Sequence, residues 1–228
     1  MIKSINKTQI LFCFASFLSA SAVAETDTLW SKTFLQYQAA NLWVPKEIRT
    51  QLEAERKDQP GKTKYIKSTL SSWEKHDPVY TNVSTNNNWQ VLTEETKSVD
   101  GINNMLMSLD KMKSSLLVQG SVPLRLENQN LDGRNLAVFE LSDGGMGKKV
   151  SIKMWVAPDT ACMVKMDTSI HITLYADVNF STRYTEPNKD GLCLHSLMQG
   201  NIDMQIPFKK GNIHIKQSNS DWTPRPAN

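Results

Sequence analysis

The residue types best placed to do chemistry are Cys193 and His195. Two positions apart, they project from the same face of an extended strand, and a thiol beside an imidazole is a nucleophile with its base. Cys162 offers the competing fate: joined to Cys193 in a disulfide, it removes the nucleophile, because a bridged sulfur cannot attack. No third residue that would orient the imidazole can be identified from the sequence. The other searches for catalytic patterns return little. There is no Gly-x-Ser-x-Gly elbow, and Gly144-Gly145-Met146-Gly147-Lys148-Lys149 is too short for a phosphate loop and lacks a Ser or Thr after the lysine. It reads as a hairpin turn. The four histidines occur singly, without the paired spacing of a zinc site, and His171 and His214 fall on the polar sides of their segments. Glu94 and Glu95 are adjacent and would diverge in a strand, so spacing alone gives no acid/base pair. The expectation is a protein without catalysis and without a cofactor.

The cysteines take their meaning from the amino terminus. Lys3 and Lys7, the apolar stretch Ile10 to Leu18 and the small residues Ala22-Val23-Ala24 have the layout of a signal peptide, so residues 1–24 are expected to be removed. The bulky Ile10-Leu11-Phe12 before Cys13 does not suit a lipoprotein cleavage site. Residues 25–228 then form a single domain of 228 − 24 = 204 residues, exported to a periplasmic or extracellular space. Cys162 and Cys193 remain as an even pair in an oxidising compartment, where a bridge closing a loop of this length is worth roughly 3 kcal/mol. Removing two lysines and no acids lowers the net charge from +3 to 24 − 23 = +1. The basic doublets Lys148-Lys149 and Lys209-Lys210 sit near glycines, without interleaved aromatics, so no nucleic-acid partner is expected. No later apolar stretch reaches the ~20 residues of a helical membrane span.

The pattern of the chain changes near residue 120. Before it, Thr26 or Asp27 can cap a helix carrying Trp30, Phe34, Tyr37 and Asn41 on one face. Pro45 opens a second predicted helix, with Ile48 and Leu52 on one face, Glu53 and Lys57 paired, and Pro60-Gly61 as its end. Residues 63–73 are ambiguous: Ile66, Leu70 and Trp73 fit a helix, whereas Thr and Ser weaken it, and the reading leans helical. Val79 to Ser84 and Trp89 to Thr93 read as short strands around Asn86-Asn87-Asn88. Between Gly101 and Gly120, Ile102, Met105, Leu109, Met112 and Leu116 form one apolar stripe of an amphipathic helix.

After Val122 the period becomes two. Alternating segments follow around Leu124, Phe139 and Ile152, with turns at Asp132-Gly133 and Gly144 to Gly147 and a strand end at Pro158-Asp159. From Val164 to Phe180 every even position but Thr168 is apolar. A two-residue hairpin would invert that parity, so one long, curved strand is the simplest reading. Turns at Asn188 to Gly191, Gly200-Asn201 and Gly211-Asn212 complete about seven strands. Such a hairpin succession places Cys193 opposite roughly residue 183, far from Cys162. A bridge then requires a parity-preserving division of the long run, or a loop that folds Cys162 back; otherwise the thiols are free.

The expected fold is α+β: a curved antiparallel half-barrel covered on its concave face by amphipathic helices. Incomplete packing between the layers would leave a cavity for an apolar or acylated ligand. On the sheet, Val164, Met166, Ile170, Ile172 and Leu174 are expected to line it. On the helices, Trp30, Phe34, Met105, Leu109 and Met112 are. The alternative is an envelope protein-interaction or structural module with a filled core, in which Trp155, Tyr175 and Tyr184 on the outer face would matter more.

The layout of early helices, a helix before the main sheet, and a meander carrying Met154-Trp155-Val156-Ala157-Pro158-Asp159-Thr160 followed by Val164-Lys165-Met166 resembles the periplasmic lipoprotein-carrier (LolA/LolB-like) superfamily. The resemblance covers roughly residues 120–222, and that family's amino-terminal Arg-Pro-Gly turn is not found. It implies a half-barrel that binds an acylated or apolar ligand as a carrier or sensor.

Overall fold

A computed structural model describes residues 27–56, 59–93, 116–145, 147–205 and 211–226. The leader, and with it the expected signal peptide, lies outside the described residues. So does most of the segment from Gly101 to Gly120, including Met105, Leu109 and Met112.

The first helix forms as the sequence predicts. Helix α1 spans Thr28–Ala40, and the Asp27 carboxylate caps it by accepting hydrogen bonds from the Leu29 (2.8 Å) and Trp30 (3.3 Å) amides. Asn41 is its carboxyl cap. Everything else assigned is strand: β1 Trp43–Arg56, β2 Gln59–Glu74, β3 Asp77–Thr85, β4 Val91–Thr93, β5 Leu124–Leu131, β6 Arg134–Gly145, β7 Lys148–Val156, β8 Met163–Ile172, β9 Ala176–Tyr184, β10 His195–Met204 and β11 Gly211–Pro224. All pairings are antiparallel, in one open sheet of order β4-β3-β2-β1-β11-β10-β9-β8-β7-β6-β5. Two meanders are thus joined where β1 runs beside β11, from Trp43 opposite Pro224 to Arg56 opposite Gly211.

The helix expected after Pro45 is strand β1, and the stretch 63–73 is strand β2. Both corrections have one cause. Residues four apart share a face in a helix and also in a strand, so Ile48 and Leu52, or Ile66 and Leu70, fit either. In β2 a bulge between Leu70 and Ser72 adds the odd step: Leu70 faces Tyr80 and Trp73 faces Pro78, which brings Trp73 to the side of Leu70. Spacings of four and three therefore imitated a helix. Among the described residues one helix accompanies the sheet, less helical cover than the sequence reading expects.

The run from Val164 to Phe180 is not one strand but β8 and β9, divided by Thr173-Leu174-Tyr175. Ile172 pairs with Ala176 across this three-residue connection, so parity survives the turn. The opposite error occurs at Gly200-Asn201, which is no turn but the interior of β10. Gly200 lies opposite Phe180, and a Cβ there would run into the Phe180 ring and the Asn179 carbonyl. About seven strands are expected after residue 120, and seven are found among the described residues, because the two errors offset each other.

One face of the sheet, called inner here, carries two apolar clusters. The first contains Ala137, Phe139, Ile152, Met154, Val156, Met163 and Met166 with Leu117, and α1 lays Trp30 and Phe34 into it. The second contains Leu52, Val150, Ile170, Val178, Phe180, Ile202 and Ile215. Leu116 packs against both. Leu136, Val138, Trp155 and Ala157 form a third cluster on the outer face.

Candidate functional site

The inner face exists because the even positions of β7, of β8 from Met166 onward, of β9 and of β10 are mostly apolar and point one way, while their odd neighbours are largely polar. Met166 and Ile170, each 1% exposed, stand on it as expected, in the first and second clusters respectively. Ile172 is half-buried beside the second.

Two expected lining residues do not belong there. Val164 is the extra residue of a bulge: Met163 pairs with Val156 and Lys165 with Trp155, which turns Val164 to the outer cluster. Met163 takes its place inward. Leu174 follows the parity of the run yet sits at the apex of the β8–β9 connection, 75% exposed.

Helix α1 is seated on the sheet by its aromatic pair. The Trp30 ring lies 5.5 Å from Phe139 and 6.0 Å from Phe34, and its Nε1 donates to the Ser121 carbonyl at 2.8 Å. Gln36 Nε2 donates to the Thr160 carbonyl at 2.9 Å, which ties α1 to the β7–β8 connection. A cleft of about 400 Å³ runs between Leu29, Leu35 and Gln36 of α1 and the Pro158–Ala161 turn.

At this end of the sheet Cys162 and Cys193 are joined in a disulfide, with α-carbons 5.8 Å apart. The division of the long run makes this possible. Strand β8 begins just after Cys162, β9 returns to Tyr184, and β10 starts at His195, so both cysteines reach one rim. The Cys193 nucleophile is thereby consumed, and the His195 ring packs edge-on against Trp222, 4.8 Å away. Among the described residues no three His, Cys, Asp or Glu side chains converge on a metal position.

Of the aromatics named for an outer working face, only Tyr175 is exposed, at 60%. Tyr184 packs inward on the first cluster with its hydroxyl toward Met166 Sδ at 3.9 Å. Trp155 is 7% exposed, with Lys165 Nζ 4.5 Å and Lys153 Nζ 5.0 Å from its ring.

Sequence reasoning missed Leu52, Ile202 and Ile215 as members of the inner face. Their signal was present: Ile202 and Ile215 alternate with polar neighbours, and Leu52 shares parity with the buried Thr50. At the opposite rim from the disulfide, His171 Nδ1 lies 2.6 Å from Asp177 Oδ1 and Gln205 Nε2 donates to Asp177 Oδ2 at 2.6 Å.

No family model matches the chain, and no curated protein matches it. Among solved structures, the chain is similar to a LolA superfamily protein from Nitrosomonas europaea, with 12% identity, 89% of this chain and 96% of that chain covered, and a TM-score of 0.37. It is similar to a DUF1329 family protein from Desulfovibrio piger, with 13% identity, coverage of 87% and 94%, and a TM-score of 0.36. An outer membrane lipoprotein-sorting protein domain from Vibrio parahaemolyticus matches at 12% identity, 85% and 92% coverage, and a TM-score of 0.35.

Proposed function

We propose that this protein is exported, that residues 1–24 are removed, and that residues 25–228 form a single half-barrel domain binding an apolar or acylated ligand on the inner face of the sheet. It acts as a carrier or sensor and performs no catalysis. One observation carries the reading: the apolar inner face runs from β1 through β11, β10, β9, β8 and β7 to β6. Helix α1, of 13 residues, is about 20 Å long, whereas the seven strands of this face span roughly 29 Å. Among the described residues no α1 side chain belongs to the second cluster. Among the described residues α1 is the one helix packed on this face, and an acyl chain held between the layers gains about 0.8 kcal/mol per methylene removed from water.

Met166, Ile170 and Ile172 of the sheet, with Trp30 and Phe34 of α1, are the proposed lining residues; Met105, Leu109 and Met112 are proposed with them from their sequence pattern alone. Mass spectrometry of lipids extracted from the purified protein, together with titration of an environment-sensitive fluorescent fatty acid, tests the reading. A co-purifying acyl lipid and saturable fluorescence enhancement are expected. Neither lipid nor enhancement would end it. The second reading, an envelope interaction module with a filled core, draws on the close packing of Trp30 between Phe34 and Phe139.

A further inference from the structure

Of all large apolar residues on the described surface, Leu174 is the most exposed, at 75%, and its chain neighbour Tyr175 is 60% exposed. Leu174 also holds a positive φ of 66°. The Tyr175 amide donates to the Ile172 carbonyl at 2.9 Å, so Leu174 is the third residue of a tight turn, a position for which Gly or Asn is favoured when φ is positive. An L-residue there costs roughly 1–2 kcal/mol. A leucine at this position thus opposes both its backbone preference and its solvation.

The turn is held firmly. The Thr173 amide donates to the Gly147 carbonyl at 2.8 Å, and the Gln205 amide donates to the Tyr175 carbonyl at 2.8 Å, which fastens the tip to the hairpins on either side. Beside it lies a groove of about 490 Å³, lined by Gly144, Gly147, Lys148, Lys149, His171 and Thr173. Of the acids at this rim, Asp143 Oδ1 accepts from the Gly144 amide at 2.8 Å, Asp177 accepts from Gln205 and pairs with His171, and Asp203 lies opposite Asp177 on β10, three strands from Lys149. Lys148 and Lys149 are exposed.

We propose that this rim, with Leu174 and Tyr175 at its apex and Lys148 and Lys149 beside them, docks on an anionic phospholipid bilayer. Leu174 enters the headgroup region, the Tyr175 ring sits at the interface where such rings concentrate, and the two lysines meet lipid phosphates. The inference is independent of whether the inner face holds a ligand.

Cosedimentation of the full chain with vesicles tests it, using phosphatidylcholine alone against phosphatidylcholine containing phosphatidylglycerol. Binding is expected to the second and not the first. Lys148→Ser with Lys149→Ser should weaken it about 25-fold at low salt, from about a factor of five per lysine. Leu174→Asn should weaken it about tenfold. Leu35→Ser, which removes an equally conspicuous leucine (64% exposed) at the disulfide end, should change nothing. These chains share their first residues, so any contribution of the leader cancels. Thermal melts of each variant establish that it is folded. Equal partition into both vesicle types, an equal loss in Leu35→Ser, or tip and lysine variants that bind as the parent does would overturn the proposal. So would displacement by inorganic phosphate beyond that of a salt-matched control, which would indicate a soluble anion instead.

Discussion

Replacing Leu174 by asparagine should make the protein more stable while making it a poorer membrane binder. The stability side can be worked from the turn. Leucine at φ 66° carries a conformational cost of roughly 1–2 kcal/mol, most of which asparagine escapes because its short polar side chain tolerates the left-handed region. Against this, full burial of a leucine is worth about 1.5–3 kcal/mol, and at 75% exposure only about a quarter of that, roughly 0.5 kcal/mol, is forfeited. The balance favours the variant by about 0.5–1.5 kcal/mol, or a rise of about 1–6 °C in Tm for a chain of this size. Differential scanning calorimetry and urea unfolding read the change directly. A variant that melts at or below the parent temperature would refute the reasoning, since the leucine would then be stabilising the turn and would need no other explanation. The paired outcome matters most: a purely structural residue moves stability and binding together, whereas this one should move them in opposite directions.

Four further outcomes are expected. Replacing both Cys162 and Cys193 by alanine should cost about 3.7 kcal/mol in urea unfolding, the chain-entropy value for a separation of 31 residues, and two titratable thiols in the native parent would contradict the bridge itself. Gly200→Ala should cost about 1–3 kcal/mol, and adding Phe180→Ala should not restore stability, because the Asn179 carbonyl still meets the new Cβ; full rescue would show that only the ring is in the way. Ile172→Trp separates the two functional readings: a ligand cavity accepts the bulk and loses fatty-acid binding, whereas a filled core loses about 1–3 kcal/mol with nothing to bind. The hydroxyl of Tyr80 donates to the Pro45 carbonyl at 2.7 Å, and burial pushes its pKa from 10.0 up to about 12. Its contribution is therefore complete below pH 10 and declines between pH 10 and 12, where the unfolded chain ionises first; denaturation midpoints across that window should fall more steeply in the parent than in Tyr80→Phe.

What the sequence makes legible is parity, and what it hides is each place where parity is reset or shared. Met166, Ile170, Val178 and Phe180 were readable as one face because strict alternation admits no other regular structure. Strands β1 and β2 were not, since Ile48, Leu52, Ile66 and Leu70 are spaced by four, a multiple of both periods, and a bulge then moved Trp73 into register with them. Val164 was misplaced for the same reason at smaller scale: one inserted residue exchanges it with Met163 across the sheet. At Thr173-Leu174-Tyr175 the opposite happens. An odd-length connection leaves parity intact, so alternation ran through a reversal of chain direction without a mark. The disulfide carried the missing information. Cys162 and Cys193 can meet only if the run is divided or the loop folds back, and the first of these is what occurs.

The same reversal separates the two proposed sites along the strands. Trp30 and Phe34 pack with Met163 and Met166 at the disulfide end of β8, whereas Leu174 lies beyond Ile172 at its other end. Ten residues of strand amount to about 33 Å, so a ligand held at α1 is out of reach of the tip, whereas one that extends to Ile172 ends two residues from it. Independent responses are expected of a ligand seated at the α1 end. Leu174→Asn should leave fatty-acid affinity unchanged while reducing vesicle binding, and Phe34→Ala, which loosens the seat of α1, should do the reverse. If Leu174→Asn instead lowers both, the acyl chain reaches the rim, and the apolar tip is the mouth of the binding face, with the two sites forming one continuous path from the bilayer to α1.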